Sequence, residues 1–218
     1  MSYLTREMAV EAIRTMKGFH DSLQSLYQEH DMDILDDLGR RNILMSTAQE
    51  KYFALELSRE FPGTRNDGKP GQPDIIIPDI DTELECKLTS RHKSGAISFQ
   101  TDYETLRQKG SLDYLYMIAD EGFKSFAVLH FQGLTVDDFR SLSSGARGKV
   151  SMYKHKAMSK CNILLGSATN NNDINLKKLT TKLESLDGTS MAKREKILKS
   201  MKYWNTTPTR YSFQLESV

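Results

Sequence analysis

The stretch from Pro73 to Leu88 constrains this chain more than any other. Pro73-Asp74-Ile75-Ile76-Ile77 is followed by Pro78-Asp79-Ile80-Asp81 and then by Thr82-Glu83-Leu84-Glu85-Cys86-Lys87-Leu88. Two short β-rich runs separated by turn-forming residues predict a β-hairpin. Closing it over residues 78–81 pairs Ile77 with Thr82, and the same count sets Asp74 across from Glu85. Side chains alternate along a strand, so Asp74, Glu83, Glu85 and Lys87 share one face. Ile75, Ile77, Leu84, Cys86 and Leu88 share the other. A one-residue slip would bury the acids and expose the apolar set, so the register is firmly specified.

Around this hairpin the chain alternates helical and extended patterns. Residues 5–29 predict a helix, with Met8, Ala12, Met16, Phe19, Leu23 and Leu26 within about 80° of its circumference. Its buried face meets either the body or a second subunit. An acidic link, residues 31–37, ends near Gly39. Ser46 with Gln49 forms a capping-box pattern, and predicts a helix over 46–61 that stops before Pro62-Gly63. Glu50 falls on the side of that helix shared with Phe53, Ala54, Leu57 and Phe61. Residues 64–73 read as loop. Further strands are expected at 112–119 and 123–131 around Asp120-Glu121-Gly122, with helices at 101–109 and 136–142. A basic loop, 143–149, and an Asn-rich linker, 169–173, follow. Two helices come next, one with Leu176, Leu179, Leu183 and Leu186 and ended by Gly188, the other over 190–204. Residues 210–215 form a final strand. The expected fold class is α/β, a central mixed β-sheet flanked by helices. We divide the single domain into an N-terminal helical arm (1–45), a core (46–131) and a basic, mainly helical C-terminal part (132–218).

The polar hairpin face carries chemistry. Directly opposed side chains have Cβ atoms roughly 4.5–5.5 Å apart, where two carboxylates repel unless a cation or proton sits between them. Such oxygen donors suit a hard cation such as Mg²⁺, which polarises phosphoryl oxygens and acidifies bound water. Lys87, next along the same face, is placed to hold that water or to stabilise charge developing on a phosphate.

Pro73-Asp74, ten intervening residues and Glu85-Cys86-Lys87 resemble the motif of the PD-(D/E)XK nuclease superfamily. The resemblance spans residues 46–131. It implies a restriction-endonuclease-like core with helical N- and C-terminal decorations. It implies that Asp74 and Glu85 bind Mg²⁺, or Mn²⁺ in its place, with the Cys86 backbone carbonyl as third ligand. Lys87 takes the family's lysine role. A further acid often comes from the preceding helix; Glu50 is the candidate and Glu56 is less well oriented. Gln100 and Tyr103 fall one residue short of the glutamine–tyrosine spacing seen in some members. The size and decorations are most like a Type II restriction endonuclease, a Mg-dependent, site-specific double-stranded DNA hydrolase acting as a homodimer. A junction resolvase or repair nuclease is the alternative enzyme. A non-catalytic DNA-binding protein is the alternative of another class.

Charge points to the same partner. Residues 1–140 carry 16 Lys/Arg against 24 Asp/Glu, and residues 141–218 carry 14 against 5, so a net charge of +1 hides a basic C-terminal third. That suits a polyanion. The candidate DNA contacts are Arg91 and Lys93 after the catalytic strand, then Lys149, Lys154 and Lys156, then Lys193, Lys196 and Lys199. No GxxxxGK[ST] loop occurs, so no nucleotide cofactor is expected. No run of 18 apolar residues and no secretory pattern at the start are found, which predicts a cytoplasmic protein without a membrane partner. Cys86 and Cys161 are too few for a disulfide framework or a CxxC zinc site. Cys86 is expected to be a core thiol, and His92 and His130 to be structural or surface residues.

Overall fold

A computed structural model describes residues 2–66, 72–90, 97–142, 148–186 and 191–218. Arg91, Lys93, His92 and most of the 143–149 loop lie outside the described residues. The chain divides into two compact units, one of Met1–Ser167 with Gln214–Val218 and the other of Ala168–Phe213.

In the first unit, α1 (Arg6–Glu29) is capped by Thr5, whose hydroxyl accepts from the Met8 N–H. Its apolar side packs onto the body through Ala9, Ala12, Ile13 and Met16, while Phe19 and Leu26 from the expected stripe are exposed. The second helix, α2 (Leu38–Glu60), corrects the sequence expectation. It starts eight residues before Ser46, at an Asp37 cap whose carboxylate accepts from the Arg40 N–H at 3.1 Å. Ser46 is inside the helix and bonds back to the Ile43 carbonyl. The helix therefore runs across the expected 45/46 boundary.

The hairpin has the predicted register. β1 (Ile75–Ile77) pairs antiparallel with β2 (Thr82–Ser90) as Ile77 with Thr82, Ile76 with Glu83 and Ile75 with Leu84. Ile75, Ile77, Leu84 and Cys86 are buried. β3 (Gln100–Asp102) and α3 (Tyr103–Lys109) then lead to β4 (Leu112–Ala119), parallel to β2. β5 (Ser125–Leu134) returns antiparallel to β4, and a short 3₁₀ turn, Val136–Asp138, stands where a helix was expected. β6 (Lys149–Ser151) pairs with β3 as a separate ribbon. After α4 (Lys154–Ala157), β7 (Cys161–Leu165) pairs with β5. The main sheet runs β1-β2-β4-β5, with β7 and β10 (Glu216–Ser217) both on β5. The architecture is α/β with a mixed sheet flanked by helices.

Parity along β4 assigns the two faces. Leu115, Met117 and Ala119 join the core beneath α1 and α2, with Met45, Phe53, Leu57 and the buried hairpin residues. Tyr114 and Tyr116 point the other way. They meet Phe99, Phe131 and Phe139 in a second, aromatic cluster, with Phe99 and Tyr116 centroids 4.6 Å apart. The β3–β6 ribbon packs on this second face, through the Tyr114–Thr101 hydroxyl pair at 2.8 Å and a Tyr116 hydroxyl donating to the Gln100 carbonyl at 2.8 Å.

Gly166, at φ +75°, follows β7. A Cβ there would strike the Gln214 carbonyl and come within 3.0 Å of the Ala127 methyl, so the position admits only glycine. In the second unit, β8 (Ser167–Asn170) precedes α5 (Asn171–Glu184), and α6 (Met191–Thr206) precedes β9 (Tyr211–Gln214), which pairs with β8. The expected Asn-rich linker is a helix start, since Asn170 caps α5 by accepting from the Asn172 and Asp173 N–H groups. No described helix is long and apolar enough to cross a membrane.

Candidate active site

β1 covers only the first part of β2. Ile75 sits opposite Leu84, so beyond Asp74 the strand edge from Cys86 onward has no strand partner on that side among the described residues. Asp74 fills the first vacancy with its side chain, its Oδ2 accepting from the Cys86 N–H at 2.7 Å. A strand residue's N–H and C=O point to the same edge, so the Cys86 carbonyl faces this opening too.

Glu85 and Lys87 project from the ribbon-side face of β2, and the Lys87 ammonium donates directly to Glu85 Oε1. By register their neighbours on β4 are Tyr114 and Tyr116. Glu50 of α2 reaches the same opening, where it feels both Lys87 and Glu85 and accepts from Asn66. Four of the expected site residues, Asp74, Glu85, Lys87 and Glu50, are thus brought together from α2, the β1 entry and β2. Glu83 points elsewhere, in an ion pair with Lys109 at 2.7 Å, and Glu56 pairs with Arg59 at 2.7 Å.

The group carries electrostatic strain. Burial raises the Asp74 carboxyl above its ordinary range; Lys87 and the Cys86 N–H pull it back, and Glu50 pushes it up further. Burial raises Glu85 as well, opposed by Lys87 and reinforced by Asp74. Glu50 is raised by burial and eased by Asn66 and Lys87. Burial acts against the Lys87 ammonium, but Glu85 and Asp74 outweigh it and hold the amine above its ordinary range. Among the described residues one ammonium therefore faces three half-buried or buried carboxylates, the charge balance that a divalent cation relieves.

Two carboxylates with a main-chain carbonyl are hard oxygen donors and fit Mg²⁺ or Mn²⁺. Among the described residues no three His, Cys, Asp or Glu side chains are grouped as a metal site. The fit thus needs the Cys86 carbonyl, or Glu50 drawn in, to complete the set. Beside Lys87 lies a cleft of about 270 Å³ whose walls include Gln100, Asp102, Tyr116 and Lys149.

The tyrosines and the ribbon went unseen in the sequence. The signal was present in Tyr114-x-Tyr116, whose spacing puts both hydroxyls on one strand face. Tyr103 begins α3, and Gln100 lies in the cleft wall.

The basic candidates divide. Lys149 is exposed at the cleft. Lys154 is partly buried, its amine held by the Ile97 carbonyl and 5.2 Å from the Phe99 ring centre, which commits it to the fold. Lys156 is exposed and donates to the Asp137 carbonyl. Lys193, Lys196 and Lys199 are exposed on α6, in the second unit. Cys86 is buried, and His130 is a buried structural residue whose Nδ1 lies 2.8 Å from the Ser2 hydroxyl. Compared with known protein families, curated proteins and solved structures, the chain matches none.

Proposed function

We propose that the chain is a divalent-metal-dependent nuclease that hydrolyses phosphodiester bonds in double-stranded DNA, of the Type II restriction kind. The observation that carries this is the convergence of Asp74, Glu85 and Lys87 at an open strand edge beside a polar cleft. Asp74, Glu85 and the Cys86 carbonyl would hold Mg²⁺ or Mn²⁺. When bound, the ion supplies charge to the phosphoryl oxygen and lowers the pKa of a water.

The protein's own part is positional. The Cys86 N–H fixes the Asp74 carboxylate, and Tyr114 and Tyr116 fix the ribbon that walls the cleft. With the Glu85 carboxylate given to the cation, the Lys87 ammonium would be free for the phosphate or the attacking water. Glu50, whose carboxyl burial raises above its ordinary range, would be placed to take up a proton from that water. Cutting both strands asks for two such sites, hence a homodimer on a two-fold DNA site.

The Lys87–Glu85 ion pair is also what a purely structural hairpin would carry, and it favours the second reading, a DNA-binding protein that does not cut. Supercoiled plasmid with Mg²⁺, and again with EDTA, separates the two. We expect cleavage with Mg²⁺ alone, nearly abolished in Asp74→Asn, Glu85→Gln and Lys87→Ala. Near-normal turnover in the Asp74 or Glu85 variant overturns the assignment, and binding without cleavage by the unaltered protein supports the second reading.

A further inference from the structure

We infer that α6 of the second unit is a phosphate-backbone contact for duplex nucleic acid. The inference rests on the DNA-substrate reading above but not on its catalytic residues. Within this unit 9 Lys/Arg stand against 4 Asp/Glu. On α6 itself Lys193, Arg194, Lys196, Lys199 and Lys202 are all exposed, with Glu195 the one acid of the helix. Among the described residues none of these cations is in an ion pair. Ile197 is buried and Ser200, Met201 and Trp204 on the same side are half-buried, so the helix seats one narrow side and leaves Lys196, Lys199 and Lys202 to solvent.

A helix face this rich in charge usually leans on i,i+4 ion pairs or bridges to something else. This one lacks the pairs and is instead fixed to α5 by a polar hub. Buried Asn172 donates to the Trp204 and Thr207 carbonyls at 3.2 and 2.9 Å and accepts from the Arg210 N–H. The hub holds the far end of α6 in place without consuming any lysine.

Lys196, Lys199 and Lys202 step by three. Each lies about 4.5 Å further along the helix and about 60° back around it, giving a slanted row of cations. Exposed Tyr203 stands between Lys199 and Lys196 on that face, and Arg194 stands between Met201 and Leu198 on the other. That interleaving argues against a lipid surface, where a helix needs its apolar and charged residues segregated into two faces. Closely spaced phosphates are the complementary surface.

The test is salt-dependent binding of the full chain carrying Asp74→Asn to a short labelled duplex in EDTA, which removes hydrolysis from the measurement. Each lysine–phosphate contact contributes about 0.9 to the slope of log K against log salt. The triple change Lys196→Gln, Lys199→Gln, Lys202→Gln should flatten that slope by about 2 to 3 between about 50 and 200 mM salt, with the circular dichroism spectrum unchanged. Glu195→Lys should steepen it by about 1, a gain that misfolding does not produce. An unchanged slope in both variants overturns the inference. So does preferential binding of vesicles of phosphatidylcholine and phosphatidylserine, or capture by an acidic polypeptide with none by DNA. A flattened slope in a protein that never cleaves keeps this surface and removes only the catalytic assignment.

Discussion

Replacing Lys87 with Met keeps the length of the side chain and deletes its charge. Asp74 and Glu85 would then be buried carboxylates that have lost the one cation acting on both among the described residues. Breaking a buried pair costs about 3–5 kcal/mol. Here the Lys87 side chain is 32% exposed and that of Glu85 13%, so water screens part of the loss. We expect about 2 kcal/mol near pH 8, or about 4–8 °C in Tm for a chain of this size. The sign with pH follows from the raised carboxyls. A group whose pKa is higher in the folded state adds stability below its unfolded pKa and loses it as pH rises through the folded value. Lys87→Met raises both carboxyls further, so its deficit should be small near pH 5 and grow toward about pH 8, by at most ~1.4 kcal/mol per pH unit for each extra proton. Thermal unfolding in EDTA across that range measures it. Adding Glu85→Gln to Lys87→Met should restore most of the loss. A deficit of equal size at every pH, or no rescue by the double variant, would refute this account of the site.

The remaining expectations concern the site's supports and its ion. Glu50→Gln removes a partly buried charge, so in EDTA it should unfold slightly later than the unaltered protein while cleaving more slowly; full activity takes Glu50 out of the site. Arg41 is wholly buried and donates to the Asp120 carbonyl at 3.0 Å and the Ser90 hydroxyl at 2.7 Å, so Arg41→Met should cost about 3 kcal/mol in urea unfolding. Tyr116→Phe should cost about 1 kcal/mol through the lost Gln100 bond, read in the same assay. Mn²⁺ should replace Mg²⁺ in cleavage, while Ca²⁺, with more ligands at longer distance, should support binding with little cleavage; equal rates in Ca²⁺ and Mg²⁺ would contradict the mechanism.

The hairpin was legible because its alternation is strict and the wrong register is expensive. Ile75–Ile77 and Thr82–Ser90 pair as their pattern requires, and β4 spans the expected residues. The start of α2 was not legible, since Asp37 caps a helix from within what reads as an acidic link. Ser46 and Gln49 had the spacing of a cap by coincidence. Gln49 is in fact buried, donating to the Leu115 carbonyl. The β3–β6 ribbon has three residues per strand, too few to show a period, and it is held by tyrosines distant in sequence. Lys154 looked like any surface lysine, because nothing local reveals that its amine is taken by Ile97. Of the site, the β2 residues followed from parity; the approach of Glu50 depended on how short β1 is, which is a property of the tertiary fold.

The chain leaves the core just after Gly166 and comes back at Gln214, and the Ser167 hydroxyl lies 3.3 Å from Gln214 Oε1. The segment between, Ala168 to Phe213, is therefore topologically an insertion into a protein that is already closed without it. Loop-closure cost grows only with the logarithm of length, so exchanging those residues for a turn of a few residues changes the closure cost of the core by about 2 kcal/mol. A splice at this point joins two backbone ends that are already neighbours. It is thus a natural place to remove or exchange the second unit while the hairpin and its carboxylates stay as they are.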